Sequence, residues 1–80
     1  MTLKFSHGAG KTLAGMDSKL TGRIVKALLK LPDGDVVPLQ GAEDSFRLRV
    51  GDFRILFSWQ AQDIVLVERI APRGDVYKGV

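Results

Sequence analysis

The sequence predicts an α+β fold in which an N-terminal strand and a two-helix hairpin pack on a small antiparallel β-sheet. Three observations carry that expectation. Between residues 9 and 31 apolar residues recur at helical intervals; after residue 35 they alternate with period two; and the dipeptide Gly51-Asp52 separates two alternating runs. Side chains return to one face of a helix about every 3.6 residues and to one face of a strand every second residue, so the change of period marks a change of element.

Thr2 to Ser6 is the first strand, with Leu3 and Phe5 on one side. Ala9 to Met16 is weakly helical: Leu13 and Met16 are apolar, but Gly8, Gly10 and Gly15 dilute the pattern. Asp17 or Ser18 can cap a second helix, since a short oxygen-bearing side chain there accepts from an unsatisfied backbone N–H. Leu20, Ile24, Leu28 and Leu31, with Ala27 beside them, form its apolar stripe, and Lys19, Arg23, Lys26 and Lys30 lie on the other side. Pro32-Asp33-Gly34-Asp35 ends it. Val36 to Leu39 is a short extended piece leading into a polar loop, Gln40 to Ser45. Phe46 to Val50 and Phe53 to Trp59 then alternate cleanly, and Ile64 to Ile70 supplies a further strand after the turn Gln60 to Asp63. The first strand is expected to join this sheet. With no repeats, low-complexity tracts or linkers, residues 1–80 read as a single domain.

A chain of 80 residues buries only about 60% of the surface its unfolded form exposes, so modest stability is expected. Apolar residues make up 45% and charged residues 26%, a globular balance. With no cysteine, neither a disulfide framework nor a thiolate metal site is available. One histidine and no clustered carboxylates argue against a dedicated metal site, so no cofactor is expected. No apolar run approaches the roughly 18 residues that span a bilayer. Met1 to Phe5 lacks the apolar core of a signal peptide, and the expected location is the cytoplasm. The formal charge is +3, and the basic residues segregate: five of six lysines precede residue 46, five of six arginines follow it. Lysine on a helix keeps that face solvated, whereas the planar guanidinium grips phosphate oxygens in pairs.

The two-residue loop fixes the hairpin register: Val50 faces Phe53, Arg49 faces Arg54, Leu48 faces Ile55, Arg47 faces Leu56 and Phe46 faces Phe57. Phe46, Leu48, Val50, Phe53, Ile55 and Phe57 then share a face that must be buried, and Arg47, Arg49 and Arg54 share the other. Like charges directly opposite destabilise a strand pair, and such a misfit tends to mark function. Three guanidinium groups on one face make an anion site, with phosphate the expected anion. On the residues alone a solvated basic face, with Glu68 pairing Arg54 or Arg69, remains an open alternative. Trp59 continues the apolar alternation into the core. The run His7-Gly8-Ala9-Gly10-Lys11-Thr12 imitates a phosphate loop but has Phe5 where that motif needs glycine. His7 is expected at the surface.

The run Phe46-Arg47-Leu48-Arg49-Val50-Gly51-Asp52-Phe53-Arg54-Ile55-Leu56-Phe57 resembles the core signature of the RelE/ParE family of toxins. The segment Ile70-Ala71-Pro72-Arg73-Gly74-Asp75-Val76-Tyr77 resembles its closing element, and Leu29-Lys30-Leu31 and Leu39-Gln40-Gly41 fall in the expected order. The resemblance covers nearly the whole chain and implies a RelE-like fold and a toxin of a type II toxin–antitoxin system. RelE-like members cleave messenger RNA, usually in the ribosomal A site; ParE-like members inhibit DNA gyrase. Tyr77 tilts the resemblance to the RelE side, with a gyrase inhibitor or an inactive, purely antitoxin-bound member as the alternatives. The implied partners are a cognate antitoxin, mRNA and the 30S ribosomal A site, with operator DNA met only through the antitoxin complex and no membrane.

The resemblance assigns Arg54, Arg73 and Tyr77 to catalysis and Arg47 and Arg49 to RNA binding, with no metal. In that scheme the 2′-OH attacks the adjacent phosphate. Arginine, which stays protonated in proteins, stabilises developing charge rather than acting as a base. Arg54 is expected at the scissile phosphate, flanked by Arg47, Arg49 and Arg73. Tyr77 would stack on an unpaired base or transfer a proton. Ala71 and Pro72 stand where some ribosome-dependent members carry further basic residues, and the three residues after Tyr77 give no expectation of a C-terminal helix.

Overall fold

Two side-chain caps set where the helices begin. In the computed structural model, which describes residues 1–41 and 43–72, β1 (Thr2–Phe5) is followed at once by α1 (His7–Ala14). The helix starts earlier than its apolar pattern suggests because Ser6 caps it, its Oγ accepting from the Ala9 N–H at 3.0 Å. The imitation phosphate loop therefore lies within α1 as helix, with His7 exposed at its first position. Asp17 caps α2 (Ser18–Leu29), accepting from the Leu20 N–H at 2.8 Å, which decides between the two candidate caps.

Four strands complete the fold: β2 (Val36–Pro38), β3 (Ser45–Val50), β4 (Phe53–Ala61) and β5 (Ile64–Pro72). The sheet order is β1-β5-β4-β3-β2. β3 to β5 form an antiparallel meander, as expected, and β2 adds to it antiparallel beside β3, but β1 pairs with β5 in parallel, so the sheet is mixed rather than wholly antiparallel. Parallel pairing of adjacent strands requires a long crossover. Here the chain makes it by passing through both helices and the β2–β4 strands before β5 returns beside β1. The short extended piece after α2 is an edge strand, and Pro38 within it cannot donate to a further partner.

The hairpin has the register its turn dictates, from Phe46 opposite Phe57 to Val50 opposite Phe53. Gly51 takes φ of 57° while Asp52 does not enter positive φ, the pattern of a II′ turn with glycine first. Leu48, Ile55 and Phe57 are at most 1% exposed and pack with Ile24 and Leu28 of α2 and Val65 and Val67 of β5. Burying a side chain of this size contributes about 1.5–3 kcal/mol. Phe46 stacks on Phe57 at 5.6 Å between ring centroids, and Trp59 meets Phe57 edge-on at 6.4 Å. Trp59 thus belongs to the core's half-buried rim.

β5 departs from simple alternation. Leu56 pairs with Arg69 but Phe57 pairs with Val67, leaving Glu68 as the extra residue of a β-bulge. Its carbonyl is satisfied by the Ser6 hydroxyl at 2.8 Å, and the Ser6 N–H donates to the Val67 carbonyl at 2.9 Å. One serine thereby starts α1 and secures the bulge. Among the described residues no helix is long and apolar enough to cross a membrane.

Candidate phosphate-binding sheet face

Both helices pack on the face that carries Phe57, which leaves the opposite face to the alternate residues of each strand. Two rungs cross it. In the first, Arg49 of β3 stands opposite Arg54 of β4, which in turn stands opposite Ala71 of β5. In the second, Val37, Arg47, Leu56 and Arg69 follow one another across β2, β3, β4 and β5. Leu56 and Ala71 are buried, with Leu39 against them, so a small apolar floor lies between the cations. Charge–charge interactions gain strength beside such a low-dielectric surface.

The arginines differ in how they are held. Arg54 is only 9% exposed, and its guanidinium Nη1 donates to the carbonyls of Phe53 at 3.2 Å and Gly51 at 3.4 Å. It is a fixed donor at the hairpin tip, not a side chain drifting in solvent. Arg49 is exposed and forms an ion pair with Asp35, the residue just before β2, whose carbonyl also accepts the Arg49 N–H at 3.0 Å. This cross-strand carboxylate offsets part of the Arg49–Arg54 repulsion from the far side. Both partners are about half exposed, so the pair contributes at most about 1 kcal/mol and a stronger anion can displace it. Arg47 and Arg69 are half-buried.

The structure thus brings Arg47, Arg49 and Arg54 to one face, as the alternation requires. Asp35 brings a carboxylate to that face, on Arg49, and Arg54 turns to backbone carbonyls instead of Glu68. Arg73 and Tyr77 lie outside the described residues. Arg69, not among the expected site residues, joins the face beside Leu56 because the bulge shifts it there. A signal for it was present: Val67 and Ile70 are both apolar, yet three residues apart they cannot share a face without an inserted residue. Lys4 of β1, opposite Leu66 of β5, also reaches this face, because Leu3 and Phe5 take the core side.

A small α+β protein that buries one sheet face under two helices and arms the other with arginines is the class defined by these features. The RelE-like fold is its particular form, since chains of known structure share it over nearly their whole length. One, in the RelB–RelE antitoxin–toxin complex of Methanococcus jannaschii, superposes with a TM-score of 0.73 and 20% identity, covering 92% of this chain and 94% of that one. A chain of the archaeal RelE–RelB complex of Pyrococcus horikoshii OT3 gives 0.68 and 21%, covering 91% and 94%. A chain of the RelBE2 toxin–antitoxin complex of Mycobacterium tuberculosis gives 0.69 and 23%, covering 90% and 96%. No protein-family model matches the sequence, and no curated protein is significantly similar to it.

Proposed function

We propose that this chain is the toxin of a type II toxin–antitoxin pair and acts as a metal-independent endoribonuclease on messenger RNA, at the ribosomal A site. The observation that carries the reading is the arginine face itself: Arg49 and Arg54 in one rung and Arg47 and Arg69 in the next, on the fold found in the RelB–RelE complexes. In-line attack of a 2′-OH on its phosphate forms the 2′-O–P bond as the P–O5′ bond breaks. The 2′-OH proton is lost and the departing 5′ oxygen protonated, to leave a 2′,3′-cyclic phosphate and a 5′-hydroxyl. Between attack and departure, negative charge builds on the equatorial oxygens. Donors already held in place stabilise that charge without reorganising. Arg54, tethered to the tip carbonyls, is the residue assigned to the scissile phosphate. Arg47, Arg49 and Arg73 are assigned to the phosphates beside it, and Tyr77 to base stacking or proton transfer. A cognate antitoxin that covered this face with carboxylates would silence it.

Arg54→Met tests the site without emptying it, since methionine keeps much of the volume. Its stability should stay near that of wild type, because a buried cation gives way to a packed apolar chain. Cleavage of a translated message, read by primer extension, should fall about 10²–10³-fold, the loss typical of one preorganised donor. Cuts in register with codons support action in the A site. Tyr77→Phe, correctly folded, should also slow cleavage. Unchanged cleavage in both variants would remove the site, and inhibited gyrase supercoiling with intact RNA would point to a binding toxin instead.

A further inference from the structure

The exposed side of α2 carries a pattern that helix stability disfavours. Lys19, Arg23, Lys26 and Lys30 follow at steps of four, three and four residues, so each is the helical neighbour of the next. Like charges at those spacings repel. No acidic residue occupies the first turn beyond the Asp17 cap, and Lys19 sits there against the positive end of the helix dipole. Lys26 in the last turn and Lys30 at the C-cap are favoured by that dipole, so the misfit lies in the mutual repulsion and at Lys19. All four are exposed. The stripe repeats on a helix the misfit that Arg49 and Arg54 show on the sheet.

The two arrays meet at one residue. The Arg23 guanidinium lies over the hairpin tip, its Nη2 3.2 Å from where a Cβ on Gly51 would stand. From the other layer, Arg54 donates to the Gly51 carbonyl at 3.4 Å. With standard backbone dimensions, these approaches bring the two guanidinium groups within about 10 Å of each other. A groove of about 320 Å³ opens beside Arg23, lined by Asp17, Lys19 and Leu20. The Asp17 carboxylate is engaged there as the α2 cap.

We propose that the α2 stripe is a second RNA-backbone surface, continuous with the arginine face around the hairpin tip, so that a folded RNA is held by phosphates on both layers. The inference rests on the RNA-directed reading above. The stripe residues are all cations, and nucleic-acid interfaces are polar and strongly positive, whereas protein interfaces centre on apolar cores. An acidic protein segment is accordingly the competing occupant.

The test measures binding of a labelled RNA stem–loop with single-stranded flanks to the full chain, between about 50 and 200 mM salt. Replacing Lys19, Arg23, Lys26 and Lys30 together with glutamine should weaken binding at least tenfold. It should also reduce the slope of log K against log salt by about 0.7–0.9 for each phosphate that is no longer neutralised. Arg23→Gln alone, with circular dichroism to confirm folding, gives the same result on a smaller scale if the fourfold variant does not fold. Unaltered affinity and slope overturn the inference, as does weakened affinity for polyglutamate with RNA binding intact. An Arg47→Gln/Arg49→Gln variant, run in parallel, separates the two readings. If it alone weakens RNA binding, the sheet face stands and the α2 surface falls; if neither variant does, both fall.

Discussion

The two faces of the β3–β4 hairpin come from alternate residues of the same two strands, yet they obey different rules. The inner face satisfies every local preference at once: Leu48 opposite Ile55, Phe46 stacked on Phe57, all against α2 and β5. The outer face sets Arg49 against Arg54 and tolerates it with a carboxylate from just before β2 and two tip carbonyls. The inner face therefore accounts for the fold, and the outer face is where stability has been traded for charge. Substitutions on the first should unfold the chain, while those on the second should change what it binds.

The largest effect is expected inside. Phe57→Ala should lose about 3–5 kcal/mol in urea unfolding, because its fully buried ring holds both Phe46 and Trp59. A loss below about 1 kcal/mol would blur the distinction between the faces. Gly51→Ala comes next, at about 1–2 kcal/mol, since φ is 57° and the new methyl meets the Arg23 guanidinium. Ser6→Ala should destabilise by about 0.5–2 kcal/mol, removing the α1 cap and the bond to the bulge carbonyl; hydrogen exchange at Ala9 should rise with it. The smallest change in stability is on the outer face. Asp35→Asn should alter it by no more than about 1 kcal/mol, yet tighten RNA binding, because a carboxylate no longer competes with phosphate for Arg49. Weaker binding by that variant would mean that Asp35 positions Arg49 rather than restrains it.

What the sequence disclosed follows the same division. The hairpin register was legible because Gly51-Asp52 leaves only one way to close two alternating strands. The apolar stripe of α2 was legible because Leu20, Ile24 and Leu28 repeat at one spacing. The pairing of β1 was not, since no local pattern says whether a strand 62 residues away lies parallel or antiparallel, and the helices between them permit either. Arg69 was hidden by the bulge at Glu68, which breaks the alternation that assigns faces. The burial of Arg54 was hidden too, because its partners are backbone carbonyls and backbone has no identity to read. Of the site, the shared face of Arg47, Arg49 and Arg54 was predictable, and the means by which each is restrained was not.

The parallel seam between β1 and β5 sets an order of events during synthesis. Thr2 to Phe5 leave the ribosome early, but their partners, Ile64 to Val67, are made much later. Until β5 emerges, β1 has no strand to join, β4 lacks one edge, and Arg69 cannot enter its rung. Such long-range pairing is slow to form because the intervening loop must be closed before any contact rewards it. The arginine face would therefore exist only once nearly the whole described chain has been translated, and a truncated product would carry the arginines without the surface that arranges them.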